Sequence, residues 1–590
     1  MLFYVVLLLL GAGAYYYHFR INRKKIIERL EKVVQRKRDD LLKNIDEARR
    51  ISDKLDSKRR DYIGNLDFEQ LKEELQKGSV TCVEAVRTYF HKAILAHEKT
   101  NAVTCFILEA EQQAEELDEK AKLASFVKPP MFGIPLSLKE CLKVKGYDTT
   151  RGFVQDAYRP STEDSIQIEH YKKLGLIPFC QTNVPQSLLS YNCSNPLFGT
   201  TTNPFDSTRT CGGSSGGEGA LIGAKGSLIG IGTDVGGSVR IPCHFTGIAG
   251  IKPSKMRFAH RGGGTSVPGK PLVDANEGIM AQNVTSNVEL LRSVWVDIDF
   301  QSDRDPYCPP VHWNESLYSS EKKLRIGYYI DDGWFTPTPA LQRAVLESKK
   351  HLENAGHTVI PFHPPRLTDV IQLYFRALFL DGGQFILNKL MNDIIEPTIT
   401  FQRTLCTVPA WIQRLLSYPV SLVFPRLGMF MKSLTRNTFE LREAYAAIEA
   451  YREEYVSLML KDDLDVILCP PSIMPAPQHD VPSKLLCGAS YTFIYNLLDF
   501  GAGSFSNRPS KTVKPFPGVV PVTTVNKSDE EKLINEYPET DKWYQITKKA
   551  TIGSIGMPIG VQVAAPPFRE ETVLRTMREI EIAVTGKLEK

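Results

Sequence analysis

The 590-residue sequence lacks the features that mark several large classes of protein. Its formal net charge is only +4, which is too small for a protein that binds nucleic acid through its overall charge. It contains no G-x-x-x-x-G-K-[ST] motif, so a phosphate-binding loop of that kind is excluded. None of its 11 cysteines forms a C-x-x-C pair. Because the cysteines are odd in number and scattered, we expect reduced thiols in a chain that faces the cytosol and holds no metal.

Long apolar runs are scarce, and the one that stands out lies at the N-terminus. Residues 2–17 would span about 24 Å as a helix, and His18 and Phe19 extend it towards the ~30 Å of a hydrocarbon core. No basic residue precedes the run, whereas four lie between residues 20 and 25, the reverse of a secretory signal. The positive-inside rule then places the following chain in the cytoplasm. We expect residues 2–19 to be a single-pass anchor in an endomembrane such as the endoplasmic reticulum, with a cleaved signal as the alternative.

Residues 20–64 form a charged segment. Between Arg20 and Arg60 there are 16 Lys and Arg against 8 Asp and Glu, so the local net charge is +8 and the basic character of the chain is concentrated here. Apolar residues recur at helical spacing from Ile27 to Leu55, which predicts an amphipathic helix. Such a helix could dimerise, lie on anionic lipid or pack against its own domain.

The rest of the chain, residues 65–590, alternates between helical periodicity and short apolar runs bounded by Gly or Pro. FGIPLSL, KLGLIPF, LRIGYYI and LDVILCP are typical of buried strands. The alternation predicts an α/β fold with a large mixed, mostly parallel central sheet covered by helices. No repeat or linker divides this region, so we expect one large domain.

A glycine-rich segment, residues 211–253, carries the strongest indication of chemistry. Eleven of the 26 residues from Gly212 to Gly237 are glycine. Glycine at this density is costly in backbone entropy, so it indicates a chain that approaches a substrate closely or adopts positive φ. One interpretation is the G-x-S-x-G elbow of an α/β-hydrolase lipase or esterase at residues 212–216, which requires a histidine base such as His244 or His260.

A second interpretation uses the whole segment. GGSSGGEGALIG and GTDVGGSVRIP place Ser238 24 residues after Ser214, and GIPLSLKE places Lys139 75 residues before Ser214. These motifs resemble the amidase signature family. Within that family the sequence is most similar to the fatty acid amide hydrolases, through stretches such as NVPQS, SNPLFGTTTNP and VVPVTTV. The resemblance covers nearly the whole chain, including the N-terminal anchor.

The resemblance implies a membrane-bound serine hydrolase that needs no metal and no cofactor. It assigns Ser238 as the nucleophile, Ser214 as the proton bridge and Lys139 as the base. The chemistry is coherent, because an apolar environment disfavours a charged lysine and so favours the neutral amine that a base requires. An oxyanion also needs backbone N–H donors, which we expect from Val235, Gly236, Gly237 and Ser238.

Asp234 and Arg240 flank this turn, and we interpret them as residues that fix the loop. Ser215 is likewise interpreted as structural.

The resemblance also implies a lipid amide as substrate, a primary amide or an N-acylethanolamine, and a homodimer. The acyl channel would then include Leu188, Leu189, Trp334 and Phe379. Residues 397–439 contain no Asp or Glu and many apolar residues, broken by Pro419 and Pro425. This pattern predicts two short amphipathic helices at a membrane surface, with a core hairpin as the alternative, and in the family this region is a membrane-binding cap.

One stretch departs from the family pattern. The polar, basic sequence GAGSFSNRPSKTVKPF at residues 501–516 has the character of an insertion. It would be a tolerated surface loop, or it would disturb a substrate-binding wall and leave an inactive lipid-binding relative.

Overall fold

Short apolar runs form the strands of a twelve-stranded sheet and of a separate two-stranded sheet. The computed structural model describes residues 2–507 and 522–586, with their side chains except at 2–16, 18, 19, 487 and 505–507. The strands are β1 (Val103–Phe106), β2 (Pro135–Lys139), β3 (Ile177–Thr182), β4 (Ser194–Asn195), β5 (Gly199–Thr200), β6 (Ile229–Asp234), β7 (Ala249–Lys252), β8 (Asn276–Ala281), β9 (Arg325–Tyr328), β10 (Thr358–Pro361), β11 (Val466–Cys469), β12 (Gly501–Asn507), β13 (Thr523–Thr524) and β14 (Pro558–Ala565).

Helices join and flank these strands. They are α1 (Leu2–Ser52), α2 (Ser57–Gly64), α3 (Phe68–Lys77), α4 (Cys82–Thr100), α5 (Ala110–Ala121), α6 (Ile166–Lys173), α7 (Gly216–Gly223), α8 (Arg240–Thr246), α9 (Val284–Val296), α10 (Asp299–Ser302), α11 (Glu315–Tyr318), α12 (Pro339–Asn354), α13 (Leu367–Leu378), α14 (Gln384–Met391), α15 (Thr400–Thr407), α16 (Ala410–Val423), α17 (Pro425–Ser433), α18 (Thr438–Lys461), α19 (Ser490–Leu497), α20 (Lys527–Glu536), α21 (Lys542–Thr551) and α22 (Glu570–Thr585).

The sheet order is β1-β3-β2-β6-β8-β7-β12-β14-β11-β9-β10, with β13 beside β14. Parallel pairing is confined to β3-β2-β6 on one side and β11-β9-β10 on the other. The strands between them pair antiparallel. The prediction of a large mixed sheet is therefore confirmed, but that of a mostly parallel sheet is wrong. The loop of residues 253–275 joins β7 to β8 without the helix that a parallel crossover normally requires.

The sequence at residues 501–507 forms part of this sheet, so this part of the predicted insertion, residues 501–516, is not a surface loop. These residues are β12, which pairs with β7 on one side and β14 on the other. Its first four residues are small, and α22 lies close against the two glycines among them. A Cβ added at Gly503 would lie 2.2 Å from Met577 Sδ. The remainder of the predicted insertion, residues 508–516, lies outside the described residues.

The predicted amphipathic helix is the C-terminal part of α1, which runs without a break across the predicted boundary at residue 20. Leu30 packs with Val154 and Leu197 in a small apolar cluster. Farther along, Asn44 exchanges hydrogen bonds with the backbone of Phe106 in β1. Of the three alternatives for this helix, packing against its own domain is therefore observed.

The predicted anchor, residues 2–19, lies outside the described side chains except for Tyr17. Within the described part of the chain, no helix is both long and apolar enough to cross a bilayer.

The region of residues 397–439 contains two short helices as predicted, α16 and α17, and Pro425 begins the second. It also contains α15, and α16 continues through Pro419, where the pattern predicted a break. We call α15, α16 and α17 the cap. Two ion pairs hold it to the body of the protein, Arg414 with Glu440 and Arg426 with Asp541. The outer side of α16 leaves large apolar side chains exposed, namely Trp411, Leu415, Leu416, Tyr418, Leu422 and Val423.

Candidate active site

Lys139, the last residue of β2, has no exposed surface. Its Nζ lies 2.8 Å from Ser214 Oγ, 2.7 Å from Thr233 Oγ1 and 3.2 Å from the Thr233 carbonyl oxygen. Burial lowers the pKa of Lys139 from its usual value, and the charges of Cys141 and Asp234 oppose that shift only in part. The amine therefore has the environment of a base, in contact with one of the two predicted serines. Thr233 was missed in the sequence analysis, because nothing distinguishes it from other strand residues.

Ser215 ties the two Gly-Gly-Ser turns together. Its N–H donates to the Ser238 carbonyl oxygen at 3.1 Å, and its hydroxyl donates to the Thr233 carbonyl oxygen at 3.2 Å. The Thr233 N–H in turn donates to Ser215 Oγ at 3.2 Å. These bonds fix the turn that carries Ser214 against the turn that carries Ser238, and they support the structural role predicted for Ser215.

The turn before Ser238 is held by its carbonyl groups. Tyr374 Oη donates to the Val235 carbonyl oxygen at 3.2 Å, and Thr492 Oγ1 donates to that of Gly236 at 2.7 Å. Because C=O and N–H point in opposite directions across a trans peptide, the Gly236 N–H points away from Tyr374. Gly237 has a φ of +113°, and a Cβ on Gly236 would lie 2.3 Å from Tyr374 Oη. Both positions therefore require glycine.

The N–H groups of this turn are divided between two uses. The Gly237 N–H donates to Asp234 Oδ1 at 2.7 Å, so in this structure it is directed at that carboxylate, which differs from the prediction that it faces the oxyanion. Among the described residues, no protein group accepts a hydrogen bond from the N–H of Val235, Gly236 or Ser238. These three remain the candidate oxyanion donors.

Asp234 and Arg240 form a fully buried ion pair, with Arg240 Nη2 2.9 Å and Nε 3.0 Å from the two carboxylate oxygens. Asn496 adds a hydrogen bond to Asp234 Oδ1 at 2.9 Å. Burial alone would raise the pKa of Asp234, but Arg240 outweighs it and the pKa lies well below its usual value. The carboxylate also accepts the N–H of Val239, so the predicted loop-fixing role of the pair is confirmed.

Ser238 lines an open apolar cleft. The volume of the cleft is about 810 Å³, which includes the solvent space at its mouth. Leu188, Leu189 and Phe379 line it, as predicted. The walls also include residues that the sequence analysis missed, namely Tyr374, Phe375 and Phe493. These aromatic residues lie far from the motifs along the chain and carry no pattern of their own. The Tyr374 and Phe493 rings stack 4.1 Å apart.

Trp334, which is also predicted for the acyl channel, is not among the residues that line this cleft. It follows β9 and is buried against the cap, where Arg426 donates two hydrogen bonds to its carbonyl oxygen. The Arg426 guanidinium also lies 5.4 Å from the centre of its ring. Contacts with Arg426 of the cap therefore fix the position of Trp334 outside the lining of the cleft.

The histidines that a Ser-His-Asp triad would need lie elsewhere. His244 is buried, with one ring nitrogen 3.2 Å from the Met474 carbonyl oxygen and the other accepting the Gly560 N–H at 3.0 Å. His260 lines a different cavity. Among the described residues, no histidine lines the cleft of Ser238. The alternative of a Ser-His-Asp triad is therefore wrong.

The geometry agrees with what this chain is similar to. A model of the family described as Amidase matches residues 84–574. The chain is 81% identical over 587 residues, the full length of both proteins, to "Fatty acid amide hydrolase 1" of Caenorhabditis elegans. It is 38% identical over 566 residues to "Fatty-acid amide hydrolase 1" of Sus scrofa, covering 95% of this chain and 91% of that one. A solved structure titled "Fatty acid amide hydrolase" superimposes with a TM-score of 0.78 over 95% of this chain and 96% of that one, at 24% identity, and supports the fold.

Proposed function

The chain belongs to the amidase family and hydrolyses fatty acid amides, and we propose that it does so with Ser238 as nucleophile, Ser214 as proton bridge and Lys139 as base. One observation carries the assignment of the base. The Lys139 amine is fully buried and lies 2.8 Å from the hydroxyl of Ser214, and the residue before that serine, Gly213, lines the apolar cleft together with Ser238. A lysine in such a place loses its proton far more easily than in water.

During acylation, protons move along three side chains, from Ser238 to Ser214 and from Ser214 to Lys139. Neutral Lys139 accepts the proton of Ser214 while Ser214 accepts that of Ser238, and the Ser238 oxygen attacks the amide carbon. Ser214 then gives its proton to the departing nitrogen and takes back the proton held by Lys139, so the nitrogen leaves as the amine and the base is neutral again. The fatty acyl group remains on Ser238 as an ester, and water attacks that ester to release the fatty acid.

The tetrahedral intermediate carries its charge on the former carbonyl oxygen. The N–H groups of Val235, Gly236 and Ser238 are the donors available for it, and each is already oriented by the bonds on its neighbouring carbonyl or strand. Removing one such donor typically lowers the rate by about 10²–10³-fold. Pre-orientation by Tyr374 and Thr492 means that the turn need not reorganise during the reaction.

The cleft fits a long acyl chain better than a short polar acid. Its walls are aromatic and aliphatic, and each CH₂ that leaves water contributes about 0.8 kcal/mol to binding. Primary amides and N-acylethanolamines of long fatty acids are therefore the proposed substrates.

The cap is proposed to lie on a membrane of the endoplasmic reticulum, with the catalytic domain on the cytoplasmic side. The exposed apolar side chains of α16 support this, because an exposed apolar patch usually marks a surface that contacts a membrane or another protein. Residues 2–19 would anchor the same chain in that bilayer. A homodimer, implied by the family, would present two caps to one membrane.

The test is hydrolysis of oleoyl amide by the wild-type chain, Lys139→Ala and Ser238→Ala. We expect both variants to lose activity by at least about 10³-fold, as for other residues of a nucleophile–base unit. Ser238→Ala should also lose labelling by a fluorophosphonate. Ser348→Ala is the control, since Ser348 is a buried serine in α12 that does not line the cleft and donates to the Ala344 carbonyl oxygen. A wild-type chain that neither hydrolyses the amide nor takes up the probe would favour the inactive lipid-binding alternative.

A further inference from the structure

A second ionisable group lies buried beside the base, and no step of the relay uses it. Glu218, in the first turn of α7, has no exposed surface. Ser137 Oγ donates to its Oε2 at 2.6 Å, and Thr182 Oγ1 donates to its Oε1 at 2.8 Å. Both carboxylate oxygens are thus hydrogen-bonded, an arrangement that favours the ionised form.

The two hydroxyls that hold Glu218 flank Lys139. Ser137 precedes Lys139 by two residues in β2, so their side chains lie on the same face of the sheet. Thr182 is the register partner of Lys139 in the neighbouring strand β3. On the other side of β2, Gly230 is the partner of Ser137, and a Cβ there would lie 2.0 Å from Glu218 Oε2. The sheet therefore leaves a gap at Gly230 that the carboxylate occupies.

The two buried groups act on each other through their charges. Burial raises the pKa of Glu218 to about 7, against the hydrogen bonds from Ser137 and Thr182 and the charge of Lys139. In return, a charged Glu218 opposes the lowering of the Lys139 pKa by burial.

Among the described residues, Lys139 is the only cation whose charge shifts the pKa of Glu218. From α8, Pro242 and Thr246 lie against α7. The other titratable side chains whose charges act on this lysine or this carboxyl are Cys141, Cys180, Cys193 and Asp234. Of these, Asp234 is committed to Arg240.

We propose that Glu218 is a positioning residue for Lys139. Its carboxylate holds Ser137 and Thr182 around the base, and its charge sets the pH at which the amine gives up its proton. The inference rests on the proposed function, in which the neutral amine of Lys139 accepts the proton of Ser214.

The test is the pH dependence of kcat/KM on oleoyl amide for Glu218→Gln. Removing the negative charge leaves the Lys139 cation less stable, so the rising limb should move by about one pH unit towards acid. Glu218→Asp keeps the charge and should keep the wild-type limb. Glu140→Gln is the matched control, because Glu140 is also buried with a pKa raised to about 7 but binds Thr150 and the Arg151 N–H. Its limb should not move.

The inference would be overturned if the rising limb of the kcat/KM profile of Glu218→Gln coincided with that of the wild type, or if the limb of Glu140→Gln moved by the same amount. If Glu218→Gln does not fold, Ser137→Ala serves instead. Losing that donor raises the Glu218 pKa, so less charge acts on Lys139 and the limb should again move towards acid, and a limb that stays in place would count against the role. Failure of the proposed function is distinguishable, since it would show as a wild-type chain without amidase activity or as an active Lys139→Ala.

Discussion

Replacing Tyr374 by Phe tests whether the oxyanion turn is held by its carbonyls. The change removes one hydroxyl, which donates to the Val235 carbonyl oxygen at 3.2 Å, and leaves the ring stacked on Phe493. The carbonyl then lacks a partner in a half-buried site, where the cost is at most that of a fully buried group, about 1–3 kcal/mol. If the turn moves to recover this energy, it misplaces the oxyanion donor. A loss of the same size from the transition state would lower kcat by between about fivefold and about a hundredfold, because about 1.4 kcal/mol corresponds to a tenfold change in rate.

The measurement is kcat and KM on oleoyl amide together with the melting temperature. Because the Gly236 N–H acts on the intermediate and not on the bound substrate, kcat and kcat/KM should fall together while KM stays near the wild-type value. Tyr191→Phe is the control, since Tyr191 lines the same cleft but donates to the Leu485 carbonyl oxygen at 2.9 Å, away from the turn. If Tyr374→Phe keeps the wild-type kcat, or if Tyr191→Phe slows equally, the turn does not depend on this bond.

Asp234→Asn should lower the free energy of unfolding by about 3–5 kcal/mol, seen by denaturant titration, because Arg240 is left as an unpaired buried charge; an unchanged midpoint would show that the pair is dispensable. The depressed pKa of Lys139 means that the folded state binds fewer protons than the unfolded chain between that pKa and the ordinary lysine value. Stability contributed by Lys139 should therefore increase with pH through that window, and Lys139→Met should remove this slope. Leu422→Asp, at a site 87% exposed, should weaken binding to anionic lipid vesicles with little change in melting temperature, and undiminished binding would remove the cap from the membrane contact.

The chemistry of the site could be predicted from the sequence because each of its residues lies in a short, recognisable motif. Ser214 and Ser238 lie in two short glycine-rich turns, and Lys139 ends an apolar strand, so local pattern and family resemblance both applied. The role of Asp234 and Arg240 was also predictable, since they flank the turn they fix. Direction of strand pairing was not, because runs such as LDVILCP identify a buried strand without identifying its neighbours.

Strand β12 illustrates why the remaining errors arose. Its sequence, GAGSFSN, contains the residues that usually mark a loop. Here they are required by the close approach of α22, which leaves no space for a side chain at Gly503. Tertiary packing thus overrode local propensity, and nothing in the sequence alone records the position of that helix. The position of Trp334 likewise depends on tertiary contacts, since Arg426, a residue 92 positions away, donates to its carbonyl oxygen.

The walls of the cleft and the catalytic turn are not independent of each other. Tyr374 and Thr492 belong to the substrate walls or lie beside them, yet they also hold the carbonyls of Val235 and Gly236. An acyl chain that packs against the stacked Tyr374 and Phe493 rings therefore fixes the groups that orient the oxyanion donors. Binding energy from the remote part of the chain would then be used in the transition state and not only in the bound complex. We accordingly expect kcat to rise with acyl length until the cleft is filled, whereas a cleft that contributed to binding alone would change KM and leave kcat constant.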